Sequence, residues 1–196
     1  HPGVITGKPI PLGGSQGRGD ATARGGIFTV REAAKAMNID IQGKTMTIVG
    51  DITNSRVARS HMLAAKIMGY NVRIVAPKTL LPSHVERYGC EVFYNFDEAL
   101  QGTDILYMLR VQTERMTTNC YFPSVREYHE AYGLNRKRLK AAGDHCMVMH
   151  PGPMNRGVEI SSDVADSMES LVLKQVEHGV AVRMAALTAL CGGASE

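Results

Sequence analysis

Three short stretches carry side chains suited to holding a small charged molecule. The first is Gly50-Asp51-Ile52-Thr53-Asn54-Ser55-Arg56, in which Ser55 and Arg56 open a predicted helix. Free N–H groups at a helix start and a guanidinium can hold an anion together. The other reading of Arg56 is a surface arginine. The second is Arg110-Val111-Gln112-Thr113-Glu114-Arg115. Arg110 and Gln112 lie two apart, so in extended chain they share a face. Arginine offers a planar fork to a carboxylate, and the glutamine adds an amide donor and acceptor. Glu114 and Arg115 can pair and shape the loop; a solvated polar loop is the alternative. The third is His150-Pro151-Gly152-Pro153-Met154-Asn155-Arg156-Gly157. Two prolines around a glycine stiffen the backbone and direct its carbonyls, which suits them to accept from an amine. A rigid structural turn is the competing reading. His150 alone reads as a satisfied core residue.

Each stretch follows a predicted strand. Strands are expected at Thr45–Val49, Asn71–Val75, Glu91–Tyr94, Ile105–Leu109 and Cys146–Met149. Helices are expected at Val57–Met68, Pro82–Tyr88, Asp97–Leu100, Ser124–Ala131, Arg136–Ala141 and across Met168–Leu190. Strands alternating with helices imply an α/β fold. It would be a doubly wound, mostly parallel sheet, Rossmann-like, with helices on both faces. Ligands of such sheets sit beyond the carboxyl ends of the strands, where the three stretches lie.

The chain divides near residue 43. Residues 1–26 hold eight glycines and three prolines and read as loop. Thr29 to Met37 reads as a helix, with Thr29 as N-cap and Glu32 as its capping-box partner. Residues 44–196 form the α/β unit.

Composition narrows the function. The chain has 196 residues, 44% hydrophobic and 21% charged, enough for one globular domain with a real core. A net charge of +3, with no aromatic platform beside Arg136, Lys137, Arg138 and Lys140, argues against nucleic acid. No apolar run reaches membrane-spanning length, and no secretory leader opens the sequence, so no membrane is expected. Cys90, Cys120, Cys146 and Cys191 make no CxxC, and the histidines make no ligand spacing. Reduced thiols in a cytoplasmic protein without metal are expected. The loop after the first strand has Gly50 but no G-x-G-x-x-G, so no dinucleotide cofactor is expected.

Residues 44–190 closely resemble the C-terminal, aspartate-binding half of aspartate carbamoyltransferases. The runs that carry the resemblance are KTMTIVGDITNSRVARS, VAPKTLLP, DEALQGTDILYMLRVQTERM, FPSVREYHEAYGL, MHPGPMNRGVEI and VEHGVAVRMAALTAL. Residues 3–37, with TARG and FTVREAAK, are similar to the segment before the nucleotide-binding fold of glutamate dehydrogenases. The chain thus reads as a splice of two families.

The resemblance implies that Arg56, Arg110 and Gln112 grip the two carboxylates of L-aspartate, with Glu114 and Arg115 orienting their loop. The carbonyls around Pro151, Gly152 and Pro153 would face the α-amino group and the transferring carbamoyl group. The Ser-Thr-Arg-Thr loop with which the family binds phosphate does not occur in these residues. Carbamoyl phosphate is therefore expected to bind only if a complementary domain is supplied, and the chain alone is expected to turn over poorly or not at all. An inactive scaffold, or a nicotinamide-nucleotide-binding module of an amino-acid dehydrogenase, are the alternatives. On the closing helix Val176, Val180, Met184 and Leu187 share one side and Val182, Ala185, Ala186 and Ala189 widen it, so a homo-oligomer is expected.

Overall fold

A computed structural model describes residue 11, residues 40–111 and residues 124–191. The expected helix Thr29–Met37, nearly all of the expected loop over residues 1–26, and Gln112, Glu114 and Arg115 lie outside the described residues.

Five strands form one parallel sheet: β1 (Thr45–Val49), β2 (Asn71–Val75), β3 (Glu91–Phe93), β4 (Ile105–Met108) and β5 (Met147–Met149). Their order is β3-β2-β1-β4-β5. The chain steps outward from β1 through β2 to β3, then crosses back to place β4 on the other side of β1. β1 and β4 therefore flank the switch point of a doubly wound sheet, the place where such folds bind ligands.

All five residues of β1, Thr-Met-Thr-Ile-Val, are buried. That burial on both faces is what a central parallel strand requires, and β-branched residues suit it. Alternation then sorts the core into two layers. Ile48, Ile74 and Tyr107 pack with Ala58, Met62 and Met68 of helix α1 (Arg56–Met68). Val49, Val75, Leu106, Met108 and Val148 face the other way. They meet Phe96 and Ala99 of α2 (Phe96–Ala99), Leu139 and Ala142 of α4 (Arg136–Ala142), and Val164 and Ala165 of α5 (Ser162–Ala165). Helix α3 (Val125–Tyr132) sends Tyr128 into the first layer. The sheet thus carries helices on both faces.

Helix α1 starts where a cap is available: Ser55 Oγ accepts from Ala58 N at 3.1 Å. A serine N-cap of this kind is worth about 1 kcal/mol over alanine. The helix ends at Gly69, whose φ of 75° lets its N–H return to the Ala65 carbonyl. Two expectations change in detail. The helix expected over Pro82–Tyr88 is only a 3₁₀ turn, Val85–Tyr88, and a second 3₁₀ turn, Lys78–Leu80, precedes it. Pro82 and His84, the latter at φ 60°, stand between them and break any continuous helix. The closing helix α6 runs from Val172 to Cys191, because residues before it are drawn to the sheet edge, where Leu171 N–H donates to Val148 O at 2.8 Å.

Candidate functional site

The register of the central strands brings the described parts of the three sequence stretches to one edge. Val49 pairs with Met108, and Tyr107 pairs with Met149, so β1, β4 and β5 end side by side. Arg56 is the first residue of α1 and is exposed. Arg110, two residues past β4, is half-buried. Pro151 and Gly152 are half-buried and Pro153 is exposed, beyond the end of β5. Both arginines therefore follow adjacent strands at the carboxyl edge.

The loop after β1 is held from within. Asp51 is fully buried, and its Oδ1 accepts from Asn54 N and Asn54 Nδ2, both at 3.1 Å. Its Oδ2 accepts from the same amide at 3.0 Å. The carboxylate is thus committed to closing a turn that delivers Ser55 and Arg56 to the helix start. Gly50 N–H donates to Val75 O of β2, and on the other side Leu109 N–H donates to Val49 O, which ties the start of the loop after β4 to the end of β1.

The loop after β5 is organised around two fully buried residues, His150 and Glu159. Gly152 N–H donates to His150 Nδ1 at 2.9 Å, so the ring's proton sits on Nε2, which lies 3.2 Å from Glu159 Oε1. Glu159 Oε1 also accepts from Asn155 N. Asn155 Nδ2 in turn donates to Val111 O at 3.4 Å, tying this loop to the one after β4. The Gly152–Pro153 peptide bond is cis. Behind the loop, Gln175 of α6 accepts from His150 N at 3.2 Å and donates to Tyr107 Oη at 2.7 Å. Burial pushes the Tyr107 phenol up to about 12. The hydrogen bond from Gln175 opposes that shift, since a donated N–H favours the phenolate.

Nearby polar residues serve the frame. Arg156 forms a two-pronged contact with Asp166, at 2.6 and 2.7 Å, and holds the Asp166 carboxyl below its ordinary range. Among the described residues no group of three or more His, Cys, Asp or Glu side chains is placed to hold a metal.

Asp51 and Glu159 are the organising residues that the sequence reading passed over. For Glu159 a signal existed: a carboxylate set between Val158 and Ile160, in a stretch of glycine and apolar residues. A charge inside such a run is rarely left in the core without a partner.

Residues 42–190 match the family model described as "Aspartate/ornithine carbamoyltransferase, Asp/Orn binding domain". The chain belongs to the aspartate/ornithine carbamoyltransferase family. This domain of the carbamoyltransferases covers the sheet and all three loops. The aspartate carbamoyltransferase catalytic subunit of Erythrobacter litoralis is 55% identical over 152 residues, covering 77% of this chain and 44% of that protein. The corresponding subunit of Beutenbergia cavernae is 46% identical over 199 residues, covering 98% of this chain and 60% of that protein. The chain spans about half the length of the carbamoyltransferases it matches. Among solved structures, the catalytic subunit of M. jannaschii aspartate transcarbamoylase superposes with a TM-score of 0.67 at 25% identity, over 89% of this chain and 56% of that one. Ornithine carbamoyltransferase from Thermus thermophilus gives a TM-score of 0.68 at 22% identity, over 86% and 54%, a likeness of fold.

Proposed function

We propose that residues 44–190 are the amino-acid half of an aspartate carbamoyltransferase, serving pyrimidine biosynthesis. In this reading Arg56, Arg110 and Gln112 hold the two carboxylates of L-aspartate, and Glu114 and Arg115 orient the loop that carries Gln112. The carbonyls of Pro151, Gly152 and Pro153 face the α-amino group. Forked guanidinium groups suit a dicarboxylate, and fixed carbonyls suit an amine that must point at its target. The amine then attacks the carbonyl carbon of carbamoyl phosphate. An N–C bond forms, the C–O bond to phosphate breaks, phosphate leaves and the amine loses a proton. Carbamoyl phosphate is held by a complementary half that meets this edge of the sheet, and no cofactor takes part.

One observation carries this reading: β1 and β4 are adjacent and parallel, and each is followed by one of the two arginines. The relatives named as aspartate carbamoyltransferase catalytic subunits favour aspartate over ornithine as the amino acid. The test is protection of the fold, since a ligand raises the melting temperature of a state it binds. Succinate and L-aspartate are expected to raise it, ornithine is not, and Arg110→Ala is expected to abolish the effect. No protection by either dicarboxylate in the unsubstituted chain sinks the reading. Formation of carbamoylaspartate is expected only when the complementary half is present.

Further readings concern the ancestry of the first residues, the assembly and the setting. Residues 1–43 form a unit distinct from residues 44–196, of glutamate-dehydrogenase-like ancestry by its FTVREAAK run. The alignment of the B. cavernae subunit over 98% of the chain favours a second reading, unbroken carbamoyltransferase ancestry. Helix α6 leaves Leu173, Val176, Val180, Met184 and Leu187 exposed, an apolar stripe suited to self-association into a homo-oligomer. No described helix is long and apolar enough to cross a membrane, and Cys90 and Cys146 are free, in keeping with a cytoplasmic setting.

A further inference from the structure

We infer that Glu159 and His150 are positioning residues: together they set the directions of the Pro151–Pro153 carbonyls and so make the site prefer an α-amino dicarboxylate over a plain one. The inference rests on the reading of those carbonyls given above.

The loop cannot hold its own shape through its backbone. Pro151 and Pro153 have no N–H, which leaves few donors with which to fasten it. Two of those that remain, on Gly152 and Asn155, go to side chains rather than to backbone: Gly152 to His150 Nδ1, Asn155 to Glu159 Oε1. Those two side chains are joined to each other at 3.2 Å. The segment from residue 150 to residue 155 is thus fastened at two of its amides by one connected pair, and at a third, that of His150, by Gln175 Oε1. Gly152 has φ 61°, a conformation that glycine takes at no steric cost and that its bond to His150 holds in place.

The pair is placed as a positioning device rather than as a source of stability. Both side chains are fully buried, and Glu159 Oε2 has no hydrogen-bond partner among the described residues. A buried carboxylate with one oxygen unused is a poor stabiliser, because desolvation opposes it. What it does supply is a fixed point, since Oε1 receives two donors from residues that flank the loop. Asn155 extends the clamp to Val111 O beside Arg110, and Gln175 extends it to α6 through His150 N. The amine-facing loop and the carboxylate-facing loop are therefore held in one frame.

The two ligands separate this role from general folding. Succinate has both carboxylates and no amine, so it needs the arginines but not the carbonyls. L-Aspartate needs both. Dissociation constants for each are measured by calorimetry on the full chain, for the unsubstituted protein, Glu159→Ala, Glu159→Gln and His150→Phe. Glu159→Ala and His150→Phe are expected to weaken L-aspartate about tenfold while changing succinate less than about twofold. Glu159→Gln, whose amide oxygen accepts the same two bonds, is expected to restore most of the loss. Equal weakening of both ligands, or an unchanged ratio in folded variants, overturns the inference.

Where a variant does not fold, amide hydrogen exchange on the unsubstituted chain decides. Slow exchange at Gly152 and Asn155 supports the clamp, and exchange at open-loop rates overturns it. If the unsubstituted chain binds neither ligand, the proposed function fails, and the exchange measurement still judges the clamp separately.

Discussion

Gly50 and Leu109 approach so closely that a β-carbon built on Gly50 would lie 3.1 Å from the Leu109 carbonyl oxygen and 3.2 Å from the Leu109 β-carbon. The two residues stand one step beyond the ends of β1 and β4. Their contact fixes how near the Arg56 loop comes to the Arg110 loop, at the point where the strand order reverses.

Gly50→Ala is therefore expected to destabilise the fold by about 2–3 kcal/mol, from both the collision and the φ of 124° that alanine resists. The Leu109 carbonyl is backbone and cannot rotate away as a side chain would. A urea titration reads the loss as a lower midpoint. A midpoint equal to that of the unsubstituted protein would mean that the loops can separate freely.

Arg138 is the second sensitive point. It is 8% exposed, and its guanidinium reaches Asp97 Oδ1 at 2.9 Å, Gly133 O at 2.7 Å and Glu130 O at 3.0 Å. It also lies over the Phe96 ring at 5.1 Å. Lysine keeps the charge but lacks the planar fork, so Arg138→Lys is expected to cost about 2–3 kcal/mol, read by thermal melting. The hydrogen bond from Arg138 holds the Asp97 carboxyl below its ordinary value of 3.8. A depressed carboxyl stabilises above its unfolded value, and the benefit fades as pH falls through the folded one. Since Asp97 is largely exposed, this pH-dependent part is small beside the loss of the two carbonyl contacts.

Acid acts more directly at His61. Its ring stacks at a tilt on Tyr107, 4.6 Å between centroids, and its Nδ1 lies 3.3 Å from Tyr70 Oη. Burial lowers the imidazole from 6.5 to about 4. Between those values the unfolded chain takes up a proton that the folded chain does not, so stability must fall as pH drops from about 6.5 towards 4. His61→Phe removes that contribution and is expected to flatten the melting temperature over the same interval relative to the unsubstituted protein. Parallel curves for the two proteins would count against a neutral His61 in the folded chain.

The regular elements were readable because their causes are local. A run such as Thr-Met-Thr-Ile-Val ending in glycine specifies a buried strand, and β1 and β2 keep their expected bounds. Ser55 and Gly69 likewise mark the two ends of α1 from within a few residues. The stretch from Lys78 to Tyr88 was less readable, since its break depends on His84 taking a left-handed conformation that composition does not announce. Helix α5 is only four residues long and leaves no periodic pattern to detect.

Residue types at Arg56, Arg110 and Pro151–Pro153 already pointed to an anion and an amine, because guanidinium forks and proline-locked carbonyls carry their chemistry wherever they stand. Sequence order could not say that β4 returns to lie beside β1, and that pairing is what puts two loops more than fifty residues apart on one edge. Nor could it join His150 to Glu159, or bury Asp51 against Asn54. A buried polar group must find its partner in space, and the burial that demands one exists only once the sheet and its two helical layers have closed.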